Sequence, residues 1–269
     1  MKTPVLPRPY PDATILEGRF ADLERIDVKR HAKELWQAIG SDDEVWKNIP
    51  SGPFANEKAF EDWLRDRSSR DGQVLYAVRD KQAGKATGLY FLLRIDPQAA
   101  ACEIGLTYGK ALQRTSAGTE AFYLLANYAL GTLGYRRLEW RTGPENEASR
   151  RAAARYGFTQ EGMLRQTSWT KGGNWDTVYY SIIDGEWPAI SGRFQAWLNP
   201  RNFDEHGHQS ARFRPFPERW TGVGAAVRTI PTDFLGLSTD EPRGFWGISN
   251  SPPGSAAGGM IPAGRADAG

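Results

Sequence analysis

Gln113-Arg114-Thr115-Ser116-Ala117-Gly118 stands directly before an apolar repeat at helical spacing, and this junction has the chemistry to hold an anion. From Thr119 onward Ala121, Phe122, Leu124, Leu125, Tyr128, Ala129 and Leu133 keep one face apolar, with Gly134 as a C-terminal stop. A helix starting near Thr115 to Ala117 leaves several backbone N–H groups without intrahelical acceptors, and its dipole adds positive potential there. The small residues Thr115, Ser116, Ala117 and Gly118 let a pyrophosphate approach the backbone; the plainer alternative is a helix cap with no ligand. His206 and His208, with Asp204 and Glu205 beside them, are of metal-ligating type but lack the further spaced ligands of a closed site, so no metal is expected. Cys102 falls on the apolar side of a strand pattern and reads as a small core residue rather than a nucleophile.

The flanking segments define what must position that turn. Upstream, Cys102, Ile104 and Leu106 alternate with Glu103, Gly105 and Thr107, as in a half-buried strand. Downstream, Leu138 and Trp140 alternate with Arg137, Glu139 and Arg141, and a second helix follows at 145–156, with Pro144 suited to its first turn and Gly157 to its stop. Earlier in the chain, ATILEGRF reads as a first strand and DVKRHAKELWQAIG as an amphipathic helix with Ala32, Leu35, Trp36 and Ile39 inward. NEKAFEDWLRDRSS reads as a second helix capped by Asn56, with Phe60, Trp63 and Leu64 buried. QVLYAVRD and KATGLYFLLRID read as strands joined near Gly84. FTQEGMLRQTSW and WDTVYYSIID form a last pair, with Lys171 to Asn174 as hairpin turn. A mixed sheet of about seven strands flanked by helices follows, an α/β architecture.

The order strand, anion turn, helix, strand, helix resembles the GNAT acetyltransferase superfamily, whose acetyl-CoA motif Q/R-x-x-G-x-G/A is occupied here by Gln113 to Gly118, with Ser116 where the first glycine is usual. EIGLTY, QRTSAGTEA, Asn146-Glu147-Ala148-Ser149, RYGFTQEGMLRQ and DTVYYSIIDGEWP resemble the RimJ/RimL branch, the ribosomal-protein N-terminal acetyltransferases. The resemblance spans residues 13–190. It implies a GNAT fold and an acetyl-CoA-dependent N-acetyltransferase acting by direct attack of an amine, either a protein N-terminus or a small molecule. It implies that pantetheine inserts between the strand of Glu103 to Thr107 and that of Arg137 to Arg141. A backbone N–H near Leu106 or Thr107 would then polarise the thioester carbonyl.

By the same resemblance Gln113, Arg114, Thr115, Ser116, Ala117 and Gly118 hold the pyrophosphate. Asn146 sits beside pantetheine, Ser149 meets the leaving thiolate, and Arg150 or Arg151 meets the adenosine 3′-phosphate. Glu103, on the polar side of its strand, is the candidate general base, with a structural carboxylate paired to an arginine as its alternative. Asn146 has the alternative of a backbone-bonding residue at the helix start, and Ser149 and Arg151 that of a solvated helix face. The tyrosine acid many relatives carry four residues before the glycine is Ala153 here, and Tyr156 reads as core. Ser116 and Ala153 motivate a second reading, a non-catalytic acyl-CoA-binding regulatory module. DEVWKNIPSGPF is the segment where acceptor contacts are expected, with Trp46 and Phe54 equally suited to fill core.

Composition sets the bounds. The chain has 269 residues, 40% of them hydrophobic and ten of them Trp, ample for one core with additions. A net charge of +2 implies neither nucleic acid nor a membrane surface as partner. A single Cys fits a reducing compartment, and MKTPVLPRPYPDA lacks the apolar run of a signal peptide, so a cytoplasmic protein is expected, as monomer or homodimer. Four domain segments are expected: an extended, poorly ordered arm at 1–12, the acetyltransferase domain at 13–190, a helical extension at 191–220, and a disordered tail at 221–269. The tail has ten Gly and five Pro in 49 residues.

Overall fold

The computed structural model describes residues 4–205 together with residues 209, 210, 213, 216, 219 and 220. The expected disordered tail and the pair His206 and His208 lie outside the described residues.

Among the described residues one sheet holds nine strands: β1 (Ile15–Leu16), β2 (Ala21–Arg25), β3 (Val74–Asp80), β4 (Lys85–Asp96), β5 (Ala101–Tyr108), β6 (Arg137–Thr142), β7 (Thr159–Thr170), β8 (Gly173–Ile183) and β9 (Arg219–Trp220). Their order is β1-β2-β3-β4-β5-β6-β8-β7-β9, antiparallel except for β5 with β6 and β7 with β9. The mixed sheet is as expected, with two strands more than the seven read from sequence. The predicted first strand, ATILEGRF, holds only β1, the chain leaves the sheet before β2 begins just past its end, and β9 adds the other edge.

The break has a physical cause on the central helix, α4 (Ser116–Ala126), which runs on as a π-helical segment, Asn127–Thr132. Glu120, only 5% exposed, accepts the backbone N–H groups of Arg19, Phe20 and Ala21 at 2.9, 2.5 and 2.9 Å. The chain turns out of the sheet to satisfy that carboxylate, and a buried charge survives only with such partners. The N-terminal arm is extended but not loose. Arg8 N–H bonds Pro97 O at 2.9 Å, Tyr135 donates to Pro9 O at 3.2 Å, and Tyr128 Oη accepts from Asp12 and Ala13 at 2.9 Å each.

Helices α1 (Val28–Leu35), α2 (Asp43–Trp46) and α3 (Glu57–Ser69) lie on one face, with α3 capped by Asn56 as predicted and α1 capped by Asp27. Their apolar side packs Leu35, Ile39, Trp46, Phe60 and Leu64 against Leu75, Ala77, Leu89 and Phe91 of β3 and β4. The other face packs Phe122 and Leu125 of α4, Tyr156 of α5 (Glu147–Tyr156) and Phe194 of α6 (Trp187–Leu198) over Tyr90, Ile104, Leu138 and Val178. The strands β3 and β4 are therefore covered on both faces, whereas β5, β6, β8 and β7 are covered on one. Tyr156 is core as read, stacked on Phe122 with ring centroids 4.1 Å apart.

Three boundaries differ from the sequence reading. Asn146 is the N-cap of α5, so Pro144 precedes the helix instead of opening it. Helix α6 begins at Trp187 and takes Pro188 into its first turn, where a missing N–H costs nothing. The β7–β8 turn is only Lys171-Gly172, with φ of 50° and 79°, the positive values that a two-residue hairpin turn demands.

Glu120→Ala leaves three buried N–H groups without an acceptor and is expected to destabilise the protein by about 3 kcal/mol. Urea unfolding of the variant beside Glu120→Gln, which retains one acceptor oxygen, checks this.

Candidate active site

Strands β5 and β6 are joined through α4 as a parallel crossover, and their pairing is brief: Ala101↔Arg137, Cys102↔Leu138 and Glu103↔Glu139. Beyond Glu103, β5 continues to pair with β4 as far as Tyr108↔Gly88, and beyond Glu139, β6 continues to pair with β8 as far as Thr142↔Val178. The two strands fork there. Between the prongs the edge of β5 from Ile104 to Thr107 faces no strand among the described residues. An extended chain bearing amides is what such an edge pairs with.

At the open end of the fork lies the start of α4. Thr115 is its N-cap, with Oγ1 accepting Gly118 N–H at 3.0 Å and donating to Leu112 O at 2.8 Å. Thr119 N–H bonds Thr115 O at 3.2 Å, so Ser116 and Ala117 keep the first-turn N–H groups that have no intrahelical acceptor. Arg114, just before, has φ of 63°, in the left-handed region that a residue other than glycine seldom adopts.

Gly118 carries a different duty from the one its sequence position suggests. A Cβ there would lie 2.6 Å from the backbone oxygen of Leu112, so the missing side chain permits close chain packing rather than close ligand approach. Its carbonyl is held as well. Tyr108 donates to Gly118 O at 2.7 Å, and Tyr90 donates to the Tyr108 oxygen at 2.6 Å. Burial pushes both phenols well above their ordinary range, keeping them neutral and able to donate. The sequence holds no local signal for this relay, because Tyr90 and Tyr108 stand on different strands. Of the remaining turn residues, Gln113 Nε2 donates to Tyr108 O at 3.4 Å, and Ser116 Oγ accepts from Gln209 at 3.1 Å.

Glu103 sits where the fork begins, 7% exposed, on the sheet face that carries α1 and α3. Arg94 and Arg141 both pair with its Oε2, the latter at 3.1 Å. Burial pushes the Glu103 carboxyl up, and the two guanidinium groups pull against it. The alternating charges continue across the sheet. Arg141 bonds Glu139 at 2.6 Å, Arg137 bonds Glu139 at 2.8 Å, and Arg137 takes both oxygens of Glu161 at 2.8 and 2.6 Å. Burial would raise Glu139, but its bonds to Arg137 and Arg141 hold it below the ordinary carboxylate range. Glu103 is thus an arginine-paired carboxylate, the alternative weighed in the sequence, and its raised pKa leaves the base role standing beside it. Leu106 is half-buried toward α4, and Thr107 is buried on the opposite face.

On the β6 prong, Asn146 caps α5 with Oδ1 accepting Ser149 N–H at 3.1 Å, which explains the spacing N-x-x-S as an N-cap to its third helical residue. The Ser149 hydroxyl accepts from the Trp140 indole at 3.0 Å. Arg151 pairs with Glu147 at 2.7 Å on the exposed helix face, 71% and 73% of the two side chains being accessible. Trp46 is core: fully buried, with its indole donating to Ile39 O at 2.8 Å and its ring edge-on to Phe54 at 4.9 Å. The 43–54 segment is tied to the β7–β8 hairpin by its backbone, Lys171 at the hairpin tip donating to Trp46 O at 2.6 Å. Cys102 is buried, and burial pushes its thiol up, away from nucleophilic use. Among the described residues no cluster of three or more His, Cys, Asp or Glu is placed to hold a metal, and no helix is long and apolar enough to cross a membrane.

Comparison with known proteins gives the same picture. Residues 23–159 match the family model described as an acetyltransferase (GNAT) domain. The chain belongs to the GNAT acetyltransferase family. It is similar to a GCN5-related N-acetyltransferase of known structure from Brucella melitensis, at 41% identity and a TM-score of 0.74, over 78% of this chain and 96% of that one. A probable GNAT acetyltransferase structure from Chromobacterium violaceum is 37% identical with a TM-score of 0.65, over 70% of this chain and 97% of the other. The Bacillus subtilis (strain 168) protein named "Putative ribosomal N-acetyltransferase YdaF" is 29% identical over 141 residues, 52% of this chain and 75% of that protein. These relatives are named as acetyltransferases, and the chain described here is a GNAT acetyltransferase enzyme.

Thr115→Val removes the N-cap acceptor at the turn and is expected to cost about 1 kcal/mol in denaturant unfolding, with Thr115→Ser retaining most of it.

Proposed function

We propose that this chain transfers an acetyl group from acetyl-CoA to a primary amine, the acceptor being a protein N-terminus or a small-molecule amine. The observation that carries the reading is the fork after Glu103↔Glu139, with the first turn of α4 at its open end. The fit to the donor is tested by the atoms themselves. Ser116 and Ala117 N–H are free to meet phosphate oxygens, and the Ile104 to Thr107 edge is free to meet the amides of pantetheine. The protein-N-terminus arm of the acceptor class draws on the name of the Bacillus relative.

The chemistry follows in balanced steps. The amine nitrogen attacks the thioester carbonyl carbon, and a β5 backbone N–H at Leu106 or Thr107 stabilises the oxyanion. The oxyanion collapses, the C–S bond breaks with its electron pair going to sulfur, and the amide forms. Glu103, through water, takes the proton the nitrogen must lose, and the CoA thiolate receives its proton from solvent while Ser149 hydrogen-bonds it. Holding donor and acceptor in register supplies most of the rate. Asn146 sets the first turn of α5 beside the pantetheine arm, and Arg151, free to leave its solvated pair with Glu147, meets the 3′-phosphate.

Glu103→Gln is expected to lower kcat about 100-fold or more with little change in acetyl-CoA affinity. In the parent, kcat falls as the pH drops through a carboxylate pKa above the ordinary value, because the base must be ionised, and this limb disappears in the variant. Steady-state kinetics against pH with a panel of peptide and small amines, beside calorimetric titration with acetyl-CoA, measures both. An unchanged profile in Glu103→Gln removes Glu103 as base.

A further inference from the structure

Trp140 is the first residue of β6 past the last pair with β5, and it is 3% exposed. Its ring packs against Tyr156 and Phe158 at centroid distances of 6.1 and 5.4 Å, which fixes the direction of the indole N–H. That N–H points to Ser149 Oγ at 3.0 Å. An indole nitrogen donates and never accepts, so one lone pair of the serine oxygen is committed and the serine proton must be given elsewhere. The Ser149 backbone is pinned independently by Asn146 Oδ1 at 3.1 Å. With backbone and oxygen both fixed, a rotor with three staggered wells is held with its O–H free to turn toward the fork.

We propose that Trp140 is a positioning residue: its indole N–H occupies Ser149 Oγ as an acceptor, so that the serine O–H is presented as a donor to the sulfur that leaves from the fork. This deepens the proposed function and rests on Ser149 as the group that meets that sulfur. The indole also polarises the hydroxyl, since a hydrogen bond accepted at oxygen strengthens the one donated from it. The pair is separated by nine residues across a strand and a helix, so neither the N-x-x-S spacing nor the strand alternation announces it.

Bound CoA itself reports on this arrangement with no acceptor needed. A donor aimed at sulfur stabilises the thiolate and lowers the pKa of the bound thiol, which a pH titration of thiolate absorbance follows in the full chain at saturating CoA. Ser149→Ala is expected to raise that pKa by about one unit. Trp140→Phe, which keeps a ring against Tyr156 and Phe158, is expected to raise it by a smaller amount. The double variant is expected to match Ser149→Ala alone. Circular dichroism and binding of desulfo-CoA verify that each variant folds and holds the ligand. A Trp140→Phe value equal to the parent, or a further increase when it is added to Ser149→Ala, overturns the positioning role while leaving Ser149 in place. No change in Ser149→Ala overturns the role of Ser149 and this inference with it. Failure of the parent to bind CoA overturns the proposed function itself.

Discussion

Three residue pairs are all that hold β5 to β6. Because β5 and β6 hold together only from Ala101↔Arg137 to Glu103↔Glu139, each strand keeps its outer neighbour and abandons the inner one. A buried sheet does not ordinarily leave backbone donors and acceptors unpaired. Here the unpaired edge is bordered by groups of opposite kinds: a helix start with free N–H groups at one end and a carboxylate held by two arginines at the other. The proposed acyl donor carries phosphates, amides and a thioester in that sequence.

The surrounding structure keeps the prongs in place. Helix α4 is tied at one end to the β1–β2 break through Glu120 and at its first turn to β4 and β5 through the Tyr90, Tyr108 and Gly118 relay. The ion ladder from Arg94 to Glu161 joins β4, β5, β6 and β7 on the face that carries α1 and α3, beyond the strands those helices cover. Partly buried and continuous, it gains more than isolated surface pairs would. The opposite face is closed by aromatic packing of α4, α5 and α6, so only one side of the fork is open to an acceptor.

Much of this was legible in the residues. The alternation around Glu103 and Leu138 located β5 and β6, and the caps Asn56 and Gly157 fell where the helix ends do, because both signals are local. What escaped was set by distant partners. Glu120 carries no local signal of its role, because the N–H groups it accepts, those of Arg19, Phe20 and Ala21, lie far away in sequence. Gly118 reads as a ligand glycine until Leu112 O is found 2.6 Å from its absent Cβ. Trp46 reads as an acceptor contact or as core, and only the assembled cluster with Phe54, Phe60 and Trp63 decides for core. The pairing of β6 with β8 rather than β7 is likewise invisible to alternation, which gives a strand's faces and not its neighbours.

The most direct measurement of the central claim is amide hydrogen exchange, resolved to single residues, with and without acetyl-CoA. If the fork is the donor site, protection on binding concentrates at Ile104 to Thr107 of β5 and at Ser116 and Ala117 of α4, with the antiparallel β3–β4 pair unchanged. Binding that leaves the Ile104 to Thr107 edge exchanging as in the free protein would contradict the account.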